Sequence, residues 1–96
     1  MSELEWIQNW YISHCNGDWE HQYGIKIDTL DNPGWRVEID LIETSLEGLD
    51  FEWELNEKSE NDWFAISAKD NKFHAAGDPK KLGFLLSKFR EIAEKK

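Results

Sequence analysis

The stretch that decides the fold is YGIKIDTLDNPGWRVEIDL, residues 23 to 41. Before its DNPG, Tyr23, Ile25, Ile27 and Thr29 alternate with Gly24, Lys26 and Asp28; after it, Trp35, Val37, Ile39 and Leu41 alternate with Arg36, Glu38 and Asp40. A period of two gives each run one apolar and one charged face. The stretch therefore predicts antiparallel strands over 23 to 29 and 35 to 41, joined by a tight loop. Parity restricts the pairing to registers that put Ile25 and Ile27 on the face of Val37 and Ile39. One such register opposes Asp28 to Glu38, a like-charge clash. The other opposes Asp28 to Arg36 and Lys26 to Glu38, and its charges match. It leaves Asp31, Asn32 and Pro33 as the loop, sets Trp35 opposite Thr29, and frees Gly34 to take positive φ in a bulge. A Pro-Gly type II turn in the first register is the alternative. Asp31 and Asn32 read as turn residues without a chemical task.

Outward from this hairpin the periodicity changes. Ser2 with Glu5 forms a capping-box pattern, and Leu4, Ile7, Trp10 and Tyr11 recur at helical spacing, which predicts a helix over 3 to 14 that ends before Asn16-Gly17. Strands are expected at 49 to 55 (Phe51, Trp53 and Leu55 inward), 63 to 68 and 72 to 75, the last two joined by the turn Asp70-Asn71. EKSEND, residues 57 to 62, reads as a mobile loop. Asp78-Pro79 marks a second helix start, followed by an apolar face of Leu82, Leu85, Leu86, Phe89, Ile92 and Ala93. The order predicts an α+β fold: one antiparallel meander of five strands, with an N-terminal and a C-terminal helix on one face.

At 96 residues the chain has material for a single domain, burying roughly 60 to 65% of its unfolded surface. Its start, MSELEW, is acidic where a secretory leader would be basic, and the longest apolar run, LGFLL at 82 to 86, is too short to cross a bilayer. Cys15 is the lone cysteine, so no internal disulfide can form and a reducing cytoplasm is expected. Residues 38 to 62 hold ten acids (Glu38, Asp40, Glu43, Glu47, Asp50, Glu52, Glu54, Glu57, Glu60 and Asp62) against Lys58 alone; the remainder is neutral, so the net charge of −9 resides there. Such a block repels nucleic acid and anionic membrane and attracts a basic partner. A plain solvated face is the bland alternative.

Chemistry-bearing residues crowd 14 to 21: His14, Cys15, Asp18, Glu20 and His21. Their spacing matches no closed zinc pattern, and a Cys15 nucleophile would need His21 or another cation beside it. A lone cysteine at a helix end reads first as a small buried hydrophobe. No glycine-rich phosphate loop is present. Six tryptophans stand out. By phase Trp6, Trp35 and Trp53 belong to the core. Trp19 lies in a loop and Trp63 competes with Phe64 for the inward direction, so these two are candidate exposed anchors or sugar-stacking rings.

The segment GDWEHQYGIKIDTLDNPGWRVEIDL, with LEWIQNWY, NDWF, KFHAAGDPKKL and LLSKF, resembles the immunity 53 family of bacterial polymorphic toxin systems over nearly the whole chain. The resemblance implies an antidote that binds a toxin and keeps it inactive in the producing cell, without catalysis or a cofactor. It matches motif positions Trp19, Glu20, His21, Gly24, Asp28, Thr29, Asp31, Asn32, Pro33, Gly34, Trp35 and Asp40, and assigns none of them a contact. Taken with the acidic block, it predicts stoichiometric inhibition through Glu43, Glu47, Asp50, Glu52, Glu54, Glu57, Glu60 and Asp62, with Trp63 as anchor. The expected partner is a basic toxin, a nuclease being one candidate, and the protein is expected as a monomer or homodimer. The alternatives are a small enzyme or metal protein using Cys15, His14 and His21, and a carbohydrate module using exposed tryptophan.

Overall fold

In the computed structural model, which describes residues 1–95, the two alternating runs form β1 (Ile25–Leu30) and β2 (Gly34–Asp40). They pair in the charge-matched register, with Lys26 opposite Glu38, Asp28 opposite Arg36 and Thr29 opposite Trp35. Asp31, Asn32 and a cis-linked Pro33 make the loop. Gly34 departs from expectation. It is the first residue of β2 and not a bulge at positive φ. Glycine is needed there because a Cβ would run into the Gly77 carbonyl oxygen of the adjacent strand.

The remaining strands are β3 (Phe51–Ser59), β4 (Asp62–Lys69) and β5 (Lys72–Gly77), which turn back on one another in sequence. The β4–β5 turn, Asp70-Asn71, has both residues at positive φ, the conformation that a two-residue hairpin requires. All five strands form one open antiparallel sheet, in the order β1-β2-β5-β4-β3. The expected class is therefore present, with the meander running inside the β1–β2 and β3–β5 units. The two units meet where β2 pairs with β5.

Helix α1 (Glu3–His14) begins at the Ser2–Glu5 capping box, where Glu5 N–H donates to Ser2 Oγ at 3.1 Å. Between α1 and β1, where a loop is expected from the sequence, the chain forms a further short helix, α2 (Trp19–Gln22). Helix α3 runs Leu82–Glu94 and starts one turn later than the Asp78-Pro79 signal. Asp78 instead ties the segment before the helix to β4, as described below.

One side of the sheet carries the core. Ile7 and Trp10 of α1, Trp19 of α2, and Leu85, Leu86 and Phe89 of α3 close over Val37, Ile39, Ile66, Phe73 and Ala75, with Leu41 and Leu46 filling one end. Phe89 is its hub, with edge-to-face contacts to Trp6 at 6.0 Å and Trp10 at 5.0 Å and a tilted one to Phe73 at 5.1 Å. At the rim Phe64 packs on Phe84 at 4.7 Å, with the Lys88 ammonium over both rings.

Candidate functional site

No helix covers the other side of the sheet among the described residues. Register alone places its side chains. One row runs Asp28, Arg36, Ala76, Ala65, Leu55; the next runs Lys26, Glu38, His74, Ser67. The half over β1 and β2 is a mesh of charge. Glu38 accepts from Lys72 at 3.2 Å and from Arg36 at 3.5 Å, and Lys72 reaches Asp40 at 3.7 Å. Partial burial pushes the Glu38 carboxyl upward, but the hydrogen bond and charge of Lys72 outweigh it and hold the group below the ordinary glutamate range.

The half over β4 and β3 is different, and a bulge makes it so. Phe51 pairs with Ala68 and Glu54 with Ile66, so Glu52 and Trp53 together oppose Ser67. One extra residue reverses the alternation of every side chain beyond it. Phe51 stays on the core side, whereas Trp53 and Leu55, both expected inward, project from the uncovered face and are 56% and 63% exposed. The Trp53 ring lies 6.2 Å from that of His74, and Ser67 between them is buried. Trp63 joins this face opposite Glu57, with its ring edge beside Gly34. The result is an apolar strip of Trp53, Leu55, Ala65, Ala76 and half-buried Trp63, bordered by the carboxylates of β3.

The acidic residues do not form one patch. Glu52 and Glu57 flank the strip, while Glu54 turns to the helix side beside Lys88 and Lys95. Glu60 is exposed at the β3–β4 turn, inside what was expected to be a mobile loop and is a hydrogen-bonded hairpin. Glu43 and Glu47 lie in the connection before β3, where the Glu47 carboxylate accepts from Glu43 N–H at 3.4 Å, and Asp50 ends that connection exposed. Asp62 is held by Lys81 Nζ at 2.7 Å.

The sequence model of the family described as Immunity protein 53 matches residues 4–94, nearly the whole chain. The chain belongs to the immunity protein 53 family. No curated protein and no solved structure matches it. Membership suggests an antidote role, and proteins of this kind typically act by binding rather than by turnover.

Most motif positions of this immunity protein have structural duties. Trp19, expected to be exposed, is 2% exposed, because α2 turns its ring into the core, where its Nε1–H donates to the Ile42 carbonyl at 2.9 Å. Glu20 accepts from the Asn16 and Gly17 N–H groups at 2.9 and 2.8 Å; backbone donors, its own N–H first and then these two, hold its carboxyl below the usual range. Asp40 accepts from Gly24 N–H at 2.9 Å, and Trp35 Nε1–H donates to the Pro79 carbonyl at 2.9 Å. Asp28, Asp31 and Asn32 are exposed, the last two in the turn. His21 is exposed and lines an open cleft of about 730 Å³ between α1, α2 and β1, with Tyr11, Ile25 and Ile27.

Two residues of the enzyme and metal alternative, Cys15 and His14, are also engaged. The Cys15 thiol donates to the Tyr11 carbonyl at 3.3 Å, and His14 Nδ1 lies 2.8 Å from the Trp10 carbonyl. Among the described residues no three His, Cys, Asp or Glu side chains gather where they could hold a metal ion. The residues missed by sequence reasoning are Trp53 and Leu55, whose phase is set by a bulge that leaves no glycine or proline signal.

Proposed function

We propose that this protein is the antidote of a polymorphic toxin system, binding its cognate toxin one to one through the uncovered sheet face and the β3 edge. One observation carries the reading: an apolar strip with Trp53 and Leu55 largely exposed, rimmed by Glu52 and Glu57, lies on a face that no helix covers among the described residues. Isolated exposed apolar side chains are ordinary, whereas aromatic and aliphatic groups clustered beside polar residues form the usual anatomy of a recognition surface. A Trp that becomes fully desolvated in a complex is a typical anchor. The acids around it suit a basic toxin, such as one that acts on nucleic acid, and would cover the groove that receives its substrate. Exposed Glu43, Glu47, Asp50 and Glu60 extend the field. Asp62 shares the single charge of Lys81 with the buried Asp78, so this cluster adds one net negative charge to the field.

The test uses the purified chain and the polypeptide encoded beside it. A one-to-one complex that silences the toxin is expected. Trp53→Ala with Leu55→Ala should speed dissociation by roughly 10- to 100-fold, while fold stability moves by less than about 1 kcal/mol because both side chains are exposed. A doubly substituted chain that protects as well as the parent would remove this face from the mechanism.

A further inference from the structure

The two edges of the sheet are built differently. Strand β3 is long, shifts register twice along β4, and presents Glu52, Glu54 and Glu57 to solvent, devices that keep an edge from pairing with another chain. Strand β1 has an unbroken register, no proline and no bulge. Its backbone phase follows from one hydrogen bond. Asp40 N–H donates to the Gly24 carbonyl at 3.0 Å, so the register makes Lys26, Asp28 and Leu30 the residues that exchange bonds with β2. Ile25, Ile27 and Thr29 therefore aim their N–H and C=O groups outward.

We propose that two copies of this chain pair through β1, antiparallel about a two-fold axis at Ile27, to make one continuous sheet. In this register Ile27 meets Ile27 and Ile25 meets Thr29 through the outward backbone groups, and Lys26 meets Asp28 twice. Complementary charge selects it. Sliding by one pair in either direction sets Lys26 against Lys26 or Asp28 against Asp28, which opposes like charges at the axis. A two-fold axis normal to the sheet keeps both core faces on the same side. The Ile27 side chains, 41% exposed in one copy, become neighbours there. Each partner's β1 also borders the open side of the other's cleft, where Tyr11, Ile25 and Ile27 are otherwise open to water. The interface lies on the β1 edge, across the sheet from the Trp53 and Leu55 strip at the β3 edge, so the dimer would present two such strips.

Sedimentation equilibrium of the full chain over a wide concentration range tests this, together with residue-resolved amide exchange. The expected result is a mass rising from 11.4 kDa toward twice that value, with the Ile25, Ile27 and Thr29 amides gaining protection as concentration rises and the Lys26 and Asp28 amides unchanged. Ile27→Pro removes the outward N–H and the side chain at the axis but no hydrogen bond to β2, and should give a folded monomer. Lys26→Asp should weaken the dimer roughly tenfold or more, and adding Asp28→Lys should restore part of the loss. Circular dichroism confirms that each variant folds. A single-chain mass at every concentration, a dimer that survives folded Ile27→Pro, or β1 amides protected only when the toxin is added would each overturn the proposal.

Discussion

At the junction of β4, β5 and α3 a single carboxylate satisfies three donors. Asp78, 1% exposed, accepts from Trp63 N–H at 3.0 Å, Lys80 N–H at 2.9 Å and Lys81 Nζ at 2.7 Å. The Lys81 hydrogen bond foremost, with the two N–H groups, lowers its pKa from 3.8 to about 2. A depressed carboxyl contributes stability that is complete above its unfolded value and lost as pH falls through the folded one. Asp78→Asn should therefore lower the melting temperature at neutral pH, and the gap between parent and variant should close as pH falls from about 4 to about 2. Melting curves of both proteins across that range decide it; a constant gap would show that Asp78 acts by shape alone. Trp19 makes a second residue-scale case. Trp19→Ala should cost about 3 to 5 kcal/mol, and Trp19→Phe less, chiefly by leaving the Ile42 carbonyl without its donor, about 1 to 3 kcal/mol, both read by urea denaturation. Neither role was legible in the sequence. Asp78-Pro79 carries a genuine start signal, and only tertiary contact shows that the carboxylate serves β4; Trp19 lacks periodic neighbours because its helix is a single turn.

Among the elements, the β1–β2 hairpin and β3 show why periodicity succeeds in one place and fails in another. In the hairpin, facing charges distinguish two registers that the apolar pattern alone leaves equal, and the observed pairing is the charge-matched one. What the pattern could not show is the crossing strand. β5 approaches β2 so closely that Gly34 has no room for a Cβ beside Gly77. Gly34→Ala should thus destabilise by about 1 to 3 kcal/mol. Gly24→Ala, with nothing within 4 Å of its Cβ, should be neutral or stabilise by about 0.5 kcal/mol. Thermal unfolding of this matched pair separates close approach from loss of glycine freedom, and equal effects would refute the steric account. In β3 the same alternation misleads, because a bulge inserts one residue between Phe51 and Glu54. Phase read from Phe51 onward assigns Trp53 and Leu55 to the core, and the extra residue turns both outward. The candidate surface therefore came from an irregularity, while its acidic border was visible from composition alone.

For the whole molecule, the division between charge and apolar contact makes a kinetic claim. The net charge of −9 comes from residues 38 to 62, and much of that segment lies in or beside the β3 edge. Exposed charges act over about a Debye length, roughly 10 Å at 0.1 M salt, so they raise the rate of encounter with a basic toxin and do little once contact is made. Trp53 and Leu55 act only at contact. The two contributions should separate cleanly in a binding experiment. Reversing Glu52, Glu54 and Glu57 to Lys should lower the association rate about 10-fold or more at low salt and flatten its dependence on ionic strength. Its dissociation rate should remain near that of the parent. Trp53→Ala should do the converse, speeding dissociation while the salt slope of association is preserved. Stopped-flow association at several salt concentrations, paired with dissociation by competitor, reads both. If charge reversal leaves association at low salt unchanged, the acidic block is a solvated surface and recognition rests on the apolar strip. If dissociation alone changes, Glu52 and Glu57 are desolvated contacts within the interface and not a steering field around it.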